Sequence, residues 1–276
     1  MKYLVLGSAG QIGGHLCSFL RQQGDTVLEF DLVTSPEQDL RKPSPLLLDR
    51  MQQADFVMFL AFDVGGAHYL KTYQHTFEFV SNNVKLMDTT FDALKRARKP
   101  FIFASSQMSN MSYSSYGVLK ALGEYYARSL NGLIVKFWNV YGVESDPAKW
   151  HAITDFIRKA QLKGKIEMMT DGKEMRQLLY ADDCCKALRL LAQPKTYAAM
   201  SREANLHITS FEWITILGVA QLVGELMRVP VVPGQSGDVV QKDLRNEPDR
   251  FLLQHWKPET SLRKGISHVI KAMTAA

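Results

Sequence analysis

The chain has 276 residues, 46% of them hydrophobic and 22% charged, with a formal net charge of +5. That length and mixture suit a folded α/β protein and exclude long disorder. No apolar run approaches the roughly 20 residues that span a bilayer. No basic-aromatic patch points to nucleic acid, and Cys17, Cys184 and Cys185 form neither a disulfide framework nor a metal-ligand spacing. The expectation is a soluble protein of a reducing, cytoplasmic setting, without a metal, whose modest positive charge suits a small anionic substrate.

Residues 2–6 are a short apolar run that reads as a strand, not a leader, and Gly7 ends it. Ile12, Leu16, Phe19 and Leu20 recur at helical spacing until Gly24, and 26–30 predicts a second strand. A short helix over 46–53 leads into a third strand over 55–61. Phe77, Val80, Val84, Met87, Phe91 and Leu94 share one face of a long helix over 76–97, and Pro100 precedes a strand over 101–104. A helix over 116–130 and a fifth strand over 133–137 complete the alternation. Apolar strands alternating with helices predict an α/β fold, a doubly wound parallel sheet covered on both faces. Such a sheet binds ligand beyond the carboxyl ends of its strands.

After Gly142 the rhythm changes. The pattern predicts a helix over 150–162, short strands over 165–169 and 177–179, and a helix over 181–191. A long apolar helix over 209–227 follows, then two tail helices around Trp256-Lys257-Pro258. The organisation expected is a Rossmann domain over 1–142, with a later contribution from about 180–208, and a smaller lobe made mainly by 143–276.

Gly7-Ser8-Ala9-Gly10-Gln11-Ile12-Gly13 lies between the first strand and the first helix. Glycines there permit a tight turn and close approach of backbone to a pyrophosphate, and the first helical N–H groups, at Gln11 and Ile12, meet its charge. A plain strand-to-helix turn is the bland alternative; the position at the start of a β-α-β unit favours a dinucleotide. Asp31 ends the second strand, where a carboxylate accepts from ribose hydroxyls and repels a 2′-phosphate, so NAD is expected over NADP. Asp39-Leu40 follows and would flank the adenine.

Tyr116 and Lys120 stand four residues apart on one helical face. An ammonium beside a phenol favours the phenolate, giving an acid/base near neutral pH. Lys120 can also reach ribose hydroxyls of the cofactor. Ser106, at the end of the preceding strand, can hydrogen-bond the same substrate hydroxyl. A Tyr-x-x-x-Lys pair by itself is common on helix surfaces; here it follows a dinucleotide pattern.

On these residues the chain resembles the extended short-chain dehydrogenase/reductases, in particular the NAD-dependent nucleotide-sugar epimerases and dehydratases. The resemblance covers nearly the whole chain. It includes Phe59-Leu60-Ala61, Asn82-Asn83, Trp138-Asn139-Val140-Tyr141-Gly142, the segment from Asp171-Gly172 to Arg176, Tyr180-Ala181-Asp182-Asp183 and the terminal Trp-x-Pro. The resemblance implies that Leu60, Ala61, Phe62, Asn83 and Trp138 join Tyr116 and Lys120 in holding NAD. It implies that Val64, Gly65, Ser106 and Asn139 face the sugar nucleotide, and that Arg176 and Arg245 pair with its diphosphate, a guanidinium fork on phosphate.

Two features depart from the pattern. Only ten positions separate Ser106 from Tyr116, which shortens one wall of the sugar site. Met108 also stands where a proton-transferring side chain serves the dehydratases, and Met cannot move a proton. In the other direction, Asp63-Val64-Gly65-Gly66 is similar to a glycine loop of GDP-mannose epimerases and GDP-fucose synthases, or is simply a turn. The implied activity is oxidation and reduction at C4 of a nucleotide-linked sugar, foremost 4-epimerisation. A 4-dehydrogenase or 4-ketoreductase and, in another class, a non-catalytic NAD-binding regulator are the alternatives. The resemblance also implies a homodimer, with helices 76–97 and 116–130 pairing across a two-fold axis as a four-helix bundle.

Overall fold

Strand β1 (Lys2–Leu6), fully buried from Tyr3 onward, lies inside the sheet, one strand from its edge. The chain leaves it through helix α1 (Gln11–Gln22) to β2 (Thr26–Phe30), then crosses by α2 (Pro45–Gln53) to β3 (Phe56–Phe59) on the other side. Leu6 is therefore opposite both Phe30 and Phe59, in parallel register. With β2 on one side of β1 and β3 on the other, the strand order reverses here and opens a crevice at the carboxyl end of β1. Helices α3 (Ala67–Tyr73) and α4 (Phe77–Ala97) lead to β4 (Phe101–Ser106), and α5 (Ser115–Ser129) leads to β5 (Leu133–Phe137). Side-chain oxygens cap the two long helices. Thr76 accepts from the Phe79 N–H at 3.3 Å and Ser114 from the Gly117 N–H at 3.1 Å, each such cap being worth about 1 kcal/mol.

The chain continues through β6 (Asn139–Tyr141), α6 (Ala152–Lys163), β7 (Ile166–Glu167), β8 (Met175–Arg176) and β9 (Leu178–Tyr180). Helices α7 (Ala181–Ala192) and α8 (Pro194–Ala199) then return it to the sheet as β10 (Leu206–Ile208). The sheet order is β10-β5-β4-β3-β1-β2, all parallel. After β11 (Ile214–Thr215) come α9 (Ile216–Met227), β12 (Val231–Val232) and α10 (Leu262–Ala275). This computed structural model describes residues 1–144, 146–240 and 246–275.

One sheet face is covered by α1 and α7 through Leu16, Leu20, Leu188 and Leu191. The other is covered by α2, α4 and α5 through Met51, Met87, Phe91 and Leu119. Phe59, Phe91 and Phe103 meet ring on ring at 5.2, 5.3 and 5.5 Å. Each such buried side chain contributes about 1.5–3 kcal/mol of hydrophobic stabilisation. A separate core, with Phe156, Ile157, Val219, Val223 and Ile266, holds α6, α9 and α10 together.

The second half corrects several expectations. The helix expected over 209–227 is only α9. Thr209 is buried and donates to Gln177 Oε1 at 3.0 Å, Phe211 has φ of 60°, and β11 pairs antiparallel with β8. The β-branched pair Ile214-Thr215 fits a strand, and Thr215 then caps α9. The first tail helix is a single 3₁₀ turn, Phe251–Gln254. The strand over 177–179 is shifted to β9, and the short helices α3 and α8 were not anticipated.

Candidate active site

The turn after β1 is built without room for side chains. Gly7 has φ of 87°, and a Cβ on it would lie 2.7 Å from the Ala61 backbone at the end of β3. A Cβ on Gly13 would lie 2.0 Å from the Gly7 carbonyl oxygen. The N-terminus of α1, beginning after Gly10, has no side-chain cap, so its N–H groups face the crevice. Ser8 Oγ is buried without a hydrogen-bond partner. An anionic group laid across this cradle meets backbone donors at Gln11 to Gly13, so the residues fit a dinucleotide pyrophosphate.

Asp31 accepts from the Ala9 N–H at 3.0 Å and from the Val33 N–H at 2.9 Å. It ties the glycine turn to the end of β2 while lining the crevice. Asp39 is chelated by Arg41, at 2.8 Å from Nε and 3.0 Å from Nη2, and this guanidinium holds its carboxyl below the usual range. Leu40, Leu60, Ala61 and Phe62 line the crevice as expected. Asn83 does not line it. Its amide is fully buried and clamps the next loop, accepting from the Asp63 N–H at 2.8 Å and donating to the Asp63 carbonyl at 3.1 Å.

Ser106, Tyr116 and Lys120 converge on the cavity. Ser106 ends β4, accepts from the Met108 N–H at 3.1 Å, and hydrogen-bonds the Tyr116 phenol. Gly117 permits this: a Cβ there would lie 2.2 Å from the Met108 carbonyl, so the short turn packs directly on α5 beside Tyr116. Lys120 is buried, donates to the Ala104 carbonyl at 2.6 Å, and lies 3.8 Å from the centre of the Phe62 ring.

The expected depression of the Tyr116 pKa is not found in this arrangement. Burial pushes the phenol up to about 12, against a smaller downward pull from Ser106. Burial also brings Lys120 down to about 7, partly opposed by Glu124. The same desolvation disfavours both charged forms, so each group sits closer to neutral than the simple ammonium–phenolate picture assumes.

Trp138 lines the cavity and donates through Nε1 to His207 at 3.0 Å. Asn139 on β6 and Val64 and Gly65 in the β3–α3 loop also line it. Gly65 and Gly66 have a packing reason: a Cβ on Gly66 would lie 2.2 Å from the Trp150 carbonyl, and the Gly66 N–H donates to the Lys149 carbonyl at 3.0 Å. Arg176 is on the wall, and Arg245 lies outside the described residues.

Several wall residues were not singled out in the sequence. Buried Glu144 accepts from the His151 N–H at 2.9 Å and meets its Nδ1 at 2.6 Å. Burial alone would raise this carboxyl, but the His151 contacts hold it below its usual value. Lys149 reaches Asp63 at 3.5 Å, and Asp238 pairs with Arg176. These contacts join distant segments, and only the pattern Glu144…His151 is local enough to have been noticed. The whole cavity has a volume of about 1270 Å³. That exceeds the roughly 300–1,000 Å³ of an ordinary ligand pocket and leaves room for a second molecule beside a dinucleotide.

Comparison with known proteins agrees with this geometry. The sequence model described as the NAD dependent epimerase/dehydratase family matches residues 3–201. An uncharacterised UDP-glucose epimerase, YtcB of Bacillus subtilis (strain 168), is 23% identical over 324 aligned positions, covering 100% of this chain and 98% of that protein. That alignment is longer than the 276-residue chain, so the relative carries segments absent here. A UDP-N-acetyl-alpha-D-glucosaminuronate decarboxylase of Bacillus cytotoxicus is 26% identical, covering 82% of this chain and 80% of the relative. Among solved structures, the UDP-glucose 4-epimerase of Thermotoga maritima with UDP-glucose superposes with a TM-score of 0.81. It is 19% identical and covers 100% of this chain and 99% of that one.

Proposed function

The chain belongs to the NAD dependent epimerase/dehydratase family, enzymes of the extended short-chain dehydrogenase/reductase type that use NAD, and from that premise we propose that it is a nucleotide-sugar 4-epimerase. The observation that carries the reading is the convergence of Ser106, Tyr116 and Lys120 on a cavity that also contains the glycine cradle. The two relatives named for UDP-glucose epimerisation, one curated and one solved, support C4 of a UDP-linked hexose as the reacting centre.

Bound NAD supplies a reversible hydride acceptor and a positive charge that favours the phenolate. Tyr116 takes the proton of the C4 hydroxyl and returns it after the keto sugar is reduced on its other face. Ser106 orients that hydroxyl, and Lys120, fixed on the Ala104 carbonyl, would hold a cofactor ribose. Gly7, Gly10, Gln11, Ile12 and Gly13 would hold the cofactor pyrophosphate, and Asp31 the adenosine ribose. Val64, Gly65, Asn139 and Arg176 contact the sugar nucleotide. Epimerisation at C4 needs no second acid, which agrees with buried Met108 at the wall.

The outer faces of α4 and α5 expose Phe77 (79%) and Tyr125 (71%), with Val84, Val118 and Leu122 between them. We read this apolar stripe as the seam of a homodimer closed by a four-helix bundle. Three buried, unpaired cysteines fit a cytoplasmic enzyme, which completes the reading; among the described residues no helix is long and apolar enough to cross a membrane.

Purified protein incubated with UDP-glucose and followed by proton NMR tests the proposal. Wild type should form the C4 epimer without added cofactor, and Tyr116→Phe should not. Equal turnover by the two proteins, or no consumption of UDP-glucose, UDP-glucuronic acid or GDP-mannose by wild type, defeats it.

A further inference from the structure

Arg176 does not stand open to the cavity that it lines. The residue is 9% exposed; its Nη1 donates to the Met175 carbonyl at 2.7 Å, and its Nη2 donates to the carboxylate of Asp238. Asp238 lines the same cavity, its side chain 12% exposed, and also accepts from the Val240 N–H at 2.8 Å. Just upstream, the Ser236 hydroxyl donates to the Met169 carbonyl at 2.7 Å, so the segment bearing Asp238 is anchored to the stretch that follows β7. Tyr113, from the short turn between Ser106 and Tyr116, lies close enough to feel both charges.

An anion that approaches this arginine therefore meets a carboxylate already in place. Two anions on one guanidinium in a poorly hydrated wall repel each other strongly, so one must yield. We infer that Asp238 is a resident counter-ion that holds the Arg176 fork until the diphosphate of the ligand takes its place. Asp238 is thus an affinity-setting residue of the site, opposed in sign to the ligand it gates. The exchange leaves its carboxylate still accepting from the Val240 N–H. It lowers the net affinity for diphosphate and so favours release of product. This inference rests on reading the cavity as a nucleoside-diphosphate-sugar site.

The test is calorimetric titration of full-length, NAD-loaded protein with UDP, GDP and inorganic pyrophosphate. Asp238→Asn keeps a hydrogen-bond acceptor for Arg176 but removes the competing charge. It should tighten binding of at least one probe by on the order of tenfold. Asp238→Ser, which also removes the carboxylate, should shift affinity the same way and serves where the Asn variant fails to fold. Arg176→Ala should lose that binding. Unchanged or weaker binding by both Asp238 variants, while Arg176→Ala still loses it, overturns the counter-ion and leaves the site reading intact. Wild-type affinity in Arg176→Ala removes both. Absence of binding in wild type and in both Asp238 variants also overturns the inference.

Discussion

The two walls of the cavity are made by different means. On the cofactor side the contacts are backbone: Gly7 against Ala61, Gly13 against the Gly7 carbonyl, and the first turn of α1. On the opposite side they are charged side chains, Arg176 with Asp238 and Lys149 with Asp63 from remote segments, and Glu144 with nearby His151. A backbone cradle has one shape and suits a ligand that stays. Ion pairs can exchange partners, which suits ligands that enter and leave with each turnover. The fold thus separates a fixed half from an adjustable half along the carboxyl edge of one sheet.

The largest effect should come where the halves meet. Tyr116→Phe should lower turnover about 10²–10⁴-fold with bound NAD retained, measured as turnover number against cofactor content; a loss of cofactor instead would mean that the phenol is structural. Gly13→Ala tests the rigid half. Its Cβ would meet the Gly7 carbonyl at 2.0 Å, so a loss of NAD and about 1–3 kcal/mol of stability are expected in content assays and thermal unfolding.

His207, behind Trp138 at the edge of the adjustable half, gives a pH signature. Burial, with Lys136 adding to it, lowers its pKa from 6.5 to about 4. Between those values the unfolded chain binds the extra proton and the native one does not, so stability falls as pH drops from 6.5 to 4. The full loss is about 3 kcal/mol by linkage. His207→Gln should flatten that part of the stability profile in denaturant titrations at successive pH values. The smallest effect is expected at the half-exposed Lys149–Asp63 pair. Lys149→Ala should cost no more than about 1 kcal/mol of stability, and less at high salt.

The same division decides what was legible in the sequence. Gly7 to Gly13, Asp31 and the Tyr116/Lys120 pair are local patterns whose spacing maps directly onto a turn or one helix face, and the structure brings them to one crevice. The five strands of the first half were readable because each is an apolar run between helices. Asp238 was not, because its partner is 62 residues away, and Lys149 and Asp63 are 86 apart. The true extent of α9 was hidden by the apolar stretch before it, which tertiary pairing with β8 turned into strand. The surroundings of Tyr116 were hidden for a related reason. Helical spacing reveals the neighbouring lysine but not the burial that moves both groups toward neutrality.

A 4-epimerase of this kind keeps its NAD through a complete cycle of oxidation and reduction. The most direct measurement is to denature the protein as purified and identify the released nucleotide by chromatography and mass spectrometry. NAD or NADH should be released in near-stoichiometric amount. An empty protein would contradict the recycling epimerase in favour of a dehydrogenase that exchanges its cofactor, and NADP would contradict the role given to Asp31.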